Sequence, residues 1–336
     1  MGNATGSRGA TPLCPRHGDR EGIGSGAFVM HSPPRIHCPL PCRYKSPPSP
    51  PSPLQFTIPS PMSRRLTLLT THLARTTTTT TPRTLHTTMA SKPPLHLYTQ
   101  QTPNGIKASI LLEELGLPYD VTEIHFSTNE QKEPWFLAIN PNGRIPALTD
   151  ASFEGEPLRV FESGAILNYL VEQYDKEHKV SYPRGTREYW EVQSWLFWQM
   201  GGLGPMQGQA NHFFRYAPEK IEYGVKRYQG ETRRLYSVME AQLEKSTSGY
   251  LVGDKCTVAD ISCWGWVAAH DWAGVSIEEF PNLKAWLFRM LERPGVEKGR
   301  HVPSHHGAFD KLSEEEKEKQ AKEASKWVMA GNDHTK

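Results

Sequence analysis

The chain has 336 residues, 37% apolar and 22% charged, with a net charge of +2, which is length enough for two domains of ordinary size. Residues 1–91 hold ten of the 38 Lys/Arg but only two of the 36 acids, so residues 92–336 carry 28 bases against 34 acids, a net charge of −6. An acidic body argues against nucleic acid as its main partner, and the lack of any apolar run of 18 residues argues against a membrane span.

Residues 1–91 are expected to form a disordered leader. They contain Ser-Pro-Pro repeats over 46–53 and six consecutive threonines over 76–81, a composition that buries too little apolar surface to offset chain entropy. Met62 to Thr88 is rich in Arg, Ser, Thr and Leu and has no acid. That is transit-peptide composition, so mitochondrial targeting stands beside a cytoplasmic location. An upstream extension of a chain that starts at Met62 or Met89 is the plainer reading. Of the five cysteines, Cys14, Cys38 and Cys42 lie in the leader. His37 with Cys38 and Cys42 has no second ligand pair nearby, so no metal is expected. Cys256 and Cys263 are seven residues apart, read as one buried face of a helix. An odd count without framework spacing suggests a reducing compartment.

The folded pattern begins at Leu95. Leu95 to Tyr98 reads as a strand, and Ile106 to Leu115 as a helix that Gly116-Leu117-Pro118 ends. Tyr119 to His125 reads as a strand, Glu133 to Ile139 as a short helix, Arg144 to Asp150 and Leu158 to Phe161 as strands, and Ser163 to Tyr174 as a helix. This β-α-β-α-β-β-α order over 92–178 predicts a thioredoxin-like domain. Residues 187–303 show helical periods only, in Trp190 to Gln199, Pro218 to Lys245, Val258 to Ala269 and Leu283 to Leu291, with Gly201 to Pro205 expected to break the first of them. Trp190, Trp195 and Trp198 are expected in the core. Thr257 and Asp260 are spaced as a capping box, and Ser313 and Glu316 as a second one. The second opens a highly charged helix, Glu314 to Lys326, within a tail over 304–336 that is expected to be solvated. The fold class is therefore α+β, an N-terminal thioredoxin-like domain followed by an all-helical one.

Three segments in this order, Thr102-Pro-Asn-Gly105, Asn140-Pro-Asn-Gly-Arg-Ile-Pro-Ala-Leu148 and Phe161-Glu-Ser-Gly-Ala-Ile-Leu-Asn-Tyr-Leu170, resemble a cytosolic-type glutathione transferase. Trp195-Leu-Phe-Trp-Gln-Met-Gly-Gly-Leu-Gly-Pro-Met206 narrows the resemblance to the nu class, the branch of bacterial disulfide-bond reductases and fungal nitrogen-regulation proteins. It covers about Pro94 to Pro303.

The resemblance implies glutathione as co-substrate, a homodimer and a small electrophile or disulfide as second substrate. It implies that Asn104 and Thr102 approach the glutathione sulfur as the catalytic pair. A free thiol titrates near ~8.5, and each unit of depression takes about 1.4 kcal/mol. One charge-assisted hydrogen bond supplies about that much. Tyr98 is the competing thiolate partner, since other transferase classes place a tyrosine there. Ile145, before an expected cis proline, would pair with the cysteinyl backbone. Glu162 and Ser163, at a helix start, would hold the γ-glutamyl ammonium and carboxylate. Gln131 is expected at the glycyl end, Arg144 beside it, and Arg227 on a glutathione carboxylate. His212, Phe213, Phe214 and Tyr216 are candidates for the wall facing the electrophile. The expected function is glutathione transfer or glutathione-dependent disulfide reduction. A non-catalytic regulator is the alternative, although a Pro/Thr/Arg-rich arm is unlike an asparagine/glutamine-rich one.

Overall fold

The computed structural model of the chain describes residues 93–330. The expected leader, its cysteines and the targeting segment lie outside the described residues.

Four strands, β1 (Leu95–Thr99), β2 (Tyr119–Glu123), β3 (Ala147–Asp150) and β4 (Leu158–Phe161), form one mixed sheet in the order β2-β1-β3-β4. β1 runs parallel to β2 and antiparallel to β3, and β3 is antiparallel to β4. A parallel pair needs a crossover, which α1 (Gly105–Leu115) supplies between β1 and β2. Along β1, Leu95, Leu97 and Thr99 are buried, while His96 and Tyr98 alternate toward the other face. That second face is covered by α2 (Pro134–Ile139), where Phe136 packs with Ile124 and Ala147.

α1 is buried from Gly105 through Leu112. It ends at Gly116, in the left-handed region at φ 65°, with the Gly116 N–H on Glu113 and Leu112 and the Leu117 N–H on the Leu112 carbonyl. Those bonds satisfy carbonyls that the last turn leaves free. α3 (Ser163–Tyr174) lies against α1, as predicted to the residue.

The remaining helices are α4 (Arg187–Trp198), α5 (Gly204–Asn211), α6 (Glu222–Lys245), α7 (Val258–Ala268), α8 (Pro281–Leu291), α9 (Pro294–Gly299) and α10 (Glu314–Ala330). They grip α1 from behind. The Ser109 hydroxyl donates to the Gly299 carbonyl at 2.8 Å, and Arg293 holds Glu114 with two bonds of 3.0 and 2.7 Å. α7 runs through the core, buried at every residue. Its start is the expected capping box, with the Asp260 carboxylate on the Thr257 N–H at 3.0 Å.

Four expectations are corrected. The glycine run does not break the helix after α4; residues Gln199–Leu203 form a wider turn that carries the helix into α5, as a single extra-residue bulge does. Trp190 is 61% exposed rather than core, because it projects from the outer side of α4. Cys256 and Cys263 are both buried, but Cys256 precedes the cap of α7 and shares no helix with Cys263. The charged tail helix does not simply stand in solvent. α10 packs onto His212–Tyr216, and ion pairs from Arg215 to Glu314 and from Lys317 to Asp271 fasten its first turn. The Ser313–Glu316 capping box that opens it is formed.

Candidate functional site

A cleft of about 420 Å³ opens where the N-terminus of α1, the loop before β3 and the start of α3 meet. Thr102, Asn104, Gln131, Arg144, Ile145, Glu162 and Ser163 all line it. Seven of the nine residues expected to meet glutathione therefore share one cavity. Tyr98 and Arg227 are not among its lining residues. Tyr98 stacks on His96 at 4.4 Å between ring centres and leans on Trp135 and Phe136, on the α2 side of the sheet. Arg227 is a half-exposed cation of α6, 3.9 Å from Glu231 one turn on. His212, Phe213, Phe214 and Tyr216 are also absent from the lining. Phe213 stacks on Tyr228, and the Tyr216 hydroxyl accepts the Trp272 indole N–H.

The turn at 102–105 is built by its own side chains. The Thr102 hydroxyl oxygen accepts the Gly105 N–H at 2.9 Å, which leaves its hydrogen free to donate. A side chain at position 105 would meet the Gln100 carbonyl at 2.1 Å, so only glycine allows this close return of the chain. The Asn104 amide is fixed from the far side of the fold. Trp266 of α7 donates its indole N–H to Asn104 Oδ1 at 3.1 Å. An indole nitrogen only donates, so the atom facing it is the oxygen and the Asn104 NH₂ is left for other partners. Gly265 makes this reach possible, since a Cβ there would meet the Pro103 carbonyl at 3.0 Å. Trp266 was not legible as a site residue, because its partner is 162 positions away in sequence.

The opposite wall carries charge. Ile145–Pro146 is a cis peptide, as expected, and both residues line the cleft. Lys132 joins Arg144 in the lining, and burial together with the Arg144 charge holds its amine below the usual lysine range. Gln131 is buried; its Nε2 donates to Asn129 at 2.8 Å, and its Oε1 has no partner among the described residues. A buried acceptor without a partner costs about 1–3 kcal/mol, which a ligand N–H would recover. Glu162 stands at φ 69°, the last residue before α3, with one carboxylate oxygen 3.4 Å from the Asn142 amide. Ser163 is the first helical residue, so its hydroxyl sits beside the free N–H groups of that end.

The remaining walls are apolar: Phe126, Met200, Trp266, Trp327 and Val328. Trp327 and Val328 come from α10, and Trp327 packs on Phe126 at 5.0 Å between ring centres. Nothing in the sequence marks Trp327 out from a charged helix. Such a ring pair is worth about 0.5–1.5 kcal/mol. Replacing Trp327 with alanine is expected to lower hydrogen-exchange protection in residues 314–330 and leave α1 and α7 unchanged; unchanged protection in α10 would show that the pair does not hold it. Among the described residues, no group of three or more His, Cys, Asp or Glu could hold a metal ion, and no helix is long and apolar enough to cross a membrane.

Comparison with known proteins fits this arrangement. Residues 93–172 match the model of the glutathione S-transferase N-terminal domain, and residues 204–294 that of the C-terminal domain. The disulfide-bond oxidoreductase YfcG of Escherichia coli is 44% identical over 60% of this chain and 92% of its own length. The transcriptional regulator URE2 of Saccharomyces cerevisiae is 34% identical over 60% of this chain and 67% of its own. A glutathione transferase homolog from Lodderomyces elongisporus, solved with two GSH per subunit, superposes with a TM-score of 0.61 at 47% identity, over 62% of this chain and 99% of that one. α10 lies beyond the matched domains.

Proposed function

The chain belongs to the glutathione S-transferase family, and from that premise we propose that it binds glutathione in the 420 Å³ cleft and activates its thiol. The observation that carries this reading is the Asn104 amide, which Trp266 turns so that its NH₂ is available beside the Thr102 hydroxyl. Two fixed donors in a half-buried site favour a thiolate over a thiol. The rest of the cleft suits the tripeptide's charges. Ser163 and the α3 N-terminus receive the γ-glutamyl carboxylate, Glu162 its ammonium, and Lys132 and Arg144 the glycyl carboxylate. The unpartnered Gln131 Oε1 accepts a peptide N–H, and the Ile145 backbone pairs with the cysteinyl segment.

The bound thiolate attacks either an electrophilic carbon or a disulfide sulfur. In the second case a sulfur–sulfur bond forms, the leaving thiolate takes a proton, and a second glutathione resolves the mixed disulfide to oxidised glutathione and a second thiol. The cysteines among the described residues, Cys256 and Cys263, are buried and do not line the cleft, so glutathione supplies both electrons. Likeness to YfcG favours this disulfide route. Likeness to URE2 favours a second reading, a glutathione-binding regulator.

We further propose a homodimer. Phe153 in the turn before β4, Leu158 and Phe161 of β4, and Trp190 and Phe197 on one side of α4 are large apolar side chains from 37% to 68% exposed, the kind of surface a partner subunit would cover. The reaction belongs in a compartment that supplies reduced glutathione, the cytoplasm or the mitochondrial matrix.

The test uses the full chain on immobilised glutathione, then turnover with a chlorodinitrobenzene-type electrophile and with a small symmetric disulfide. Retention with either turnover is the expected result. Retention with both assays silent would favour the regulator, and no retention together with no turnover would remove the glutathione reading.

A further inference from the structure

Lys107 is fully buried in α1, one turn after the Asn104 turn, and it does not line the cleft. Among the described residues no carboxylate stands in ion-pair contact with it. Its Nζ donates to Gln199 Oε1 at 2.6 Å and to Ser163 Oγ at 3.1 Å, with Met200 Sδ at 3.7 Å. The Ser163 hydroxyl accepts from Lys107 and points its own hydrogen at Met200 Sδ, 3.4 Å away. A thioether sulfur is a weak acceptor, so Ser163 has a strong donor behind it and a poor acceptor in front. A carboxylate in the cleft would replace the sulfur and complete a chain from Lys107 through Ser163 to the anion.

Resting on the glutathione reading, we propose that Lys107 is the positioning residue for the γ-glutamyl carboxylate: it holds the Ser163 hydroxyl from inside the protein and places a positive charge behind the bound anion. The groups facing Lys107 make this charge conditional. Burial draws its amine down to about 7, with Cys263 and then the Glu162 carboxylate just before α3 opposing that shift. Burial pushes the Cys263 thiol of α7 up to about 12, so at neutral pH it is uncharged, its support is withdrawn, and Lys107 sits no higher than about 7. Gln199 and Met200 are neutral. Without ligand, Lys107 is therefore divided between its two forms near neutral pH. A carboxylate at Ser163 favours the ammonium, so binding draws in a proton. Affinity is full below pH 7 and falls as pH rises above it, until the higher value in the complex is passed.

The experiment measures binding of S-methylglutathione, which has no titrating thiol, to the full chain and to Lys107→Met, from pH 6 to pH 8 and in two buffers of different ionisation heat. Its companion ligand replaces γ-glutamate with 4-aminobutyrate and so lacks the carboxylate. The wild type is expected to lose about tenfold in affinity for S-methylglutathione between pH 6 and 8 and to take up protons on binding. The companion ligand should show neither effect. Lys107→Met should bind S-methylglutathione about tenfold or more weakly at pH 6, with no pH slope, and should treat the companion ligand as the wild type does. The proposal is overturned if the wild type shows no pH slope and no proton uptake, or if Lys107→Met weakens both ligands equally, which marks a packing role. The wild-type arms decide even if the variant does not fold. If the wild type does not bind S-methylglutathione at all, the glutathione reading itself fails, a result distinct from binding without the slope.

Discussion

Replacing Asn104 with alanine is expected to lower kcat/KM for conjugation by about tenfold to a hundredfold, with little change in the KM for glutathione. The amide donor meets the sulfur as an anion, and a hydrogen bond to a charged group is worth about 1.5–3 kcal/mol. Removing it raises the pKa of the bound thiol. The sign is definite: rate follows the thiolate fraction, so activity rises with pH through the bound thiol's pKa, and the midpoint moves upward in the variant. Trp266→Phe keeps the apolar wall but removes the indole N–H that orients Asn104, so it should reproduce part of the loss and part of the shift. Tyr98→Phe should do little, since that ring packs on the α2 side of the sheet with His96 and Phe136. The pH–rate profiles of the three variants check this. A larger loss from Tyr98→Phe than from Asn104→Ala would move the thiolate partner to Tyr98.

The second large effect is on stability. Asp260 is fully buried, and its carboxylate accepts from the Leu251 N–H at 2.9 Å, the Thr257 N–H at 3.0 Å, the Thr257 hydroxyl at 3.2 Å and the Trp286 indole at 2.9 Å. Burial raises its carboxyl pKa against the pull of those donors. One side chain thus caps α7, holds the loop before it and ties α7 to α8. Asp260→Ala leaves these donors buried without an acceptor, at about 1–3 kcal/mol for each such group. For a folded region of this size, the melting temperature should fall by on the order of 10 °C. Thr257→Ala removes only the cap hydroxyl and should cost about 1 kcal/mol. Denaturant unfolding checks the ratio between them; equal, small losses would mean that the Asp260 network contributes little. Because α7 carries Trp266, a loosened α7 should also reduce whatever activity Asn104 supports.

What the sequence made legible depended on distance along the chain. The turn at 102–105, the stop at Gly116 and the box at Thr257 and Asp260 are local devices, written in consecutive residues, and they stand where they were expected. Ile145, Glu162 and Ser163 were legible as a group through family resemblance, and one cavity gathers them. Contacts between distant segments were not legible. Trp266 reads as one more apolar residue in an apolar helix until Asn104 is seen against it. Lys107 is the lone cation in an otherwise apolar stretch of α1; the sequence gives no measure of its burial, and its partners are 56 and 92 residues away. Trp327 was hidden because the average charge of α10 suggests a solvated helix, while its ring pairs with Phe126, far earlier in the chain. Arg227 and Tyr98, named through the same resemblance, do not line this cavity.

The most direct measurement is a crystal structure of the chain with glutathione. The account predicts the sulfur within hydrogen-bonding distance of the Asn104 amide or the Thr102 hydroxyl, with the γ-glutamyl carboxylate on Ser163. A tripeptide whose sulfur lies against other residues, or whose electron density is absent from this cleft at saturating concentration, would contradict it.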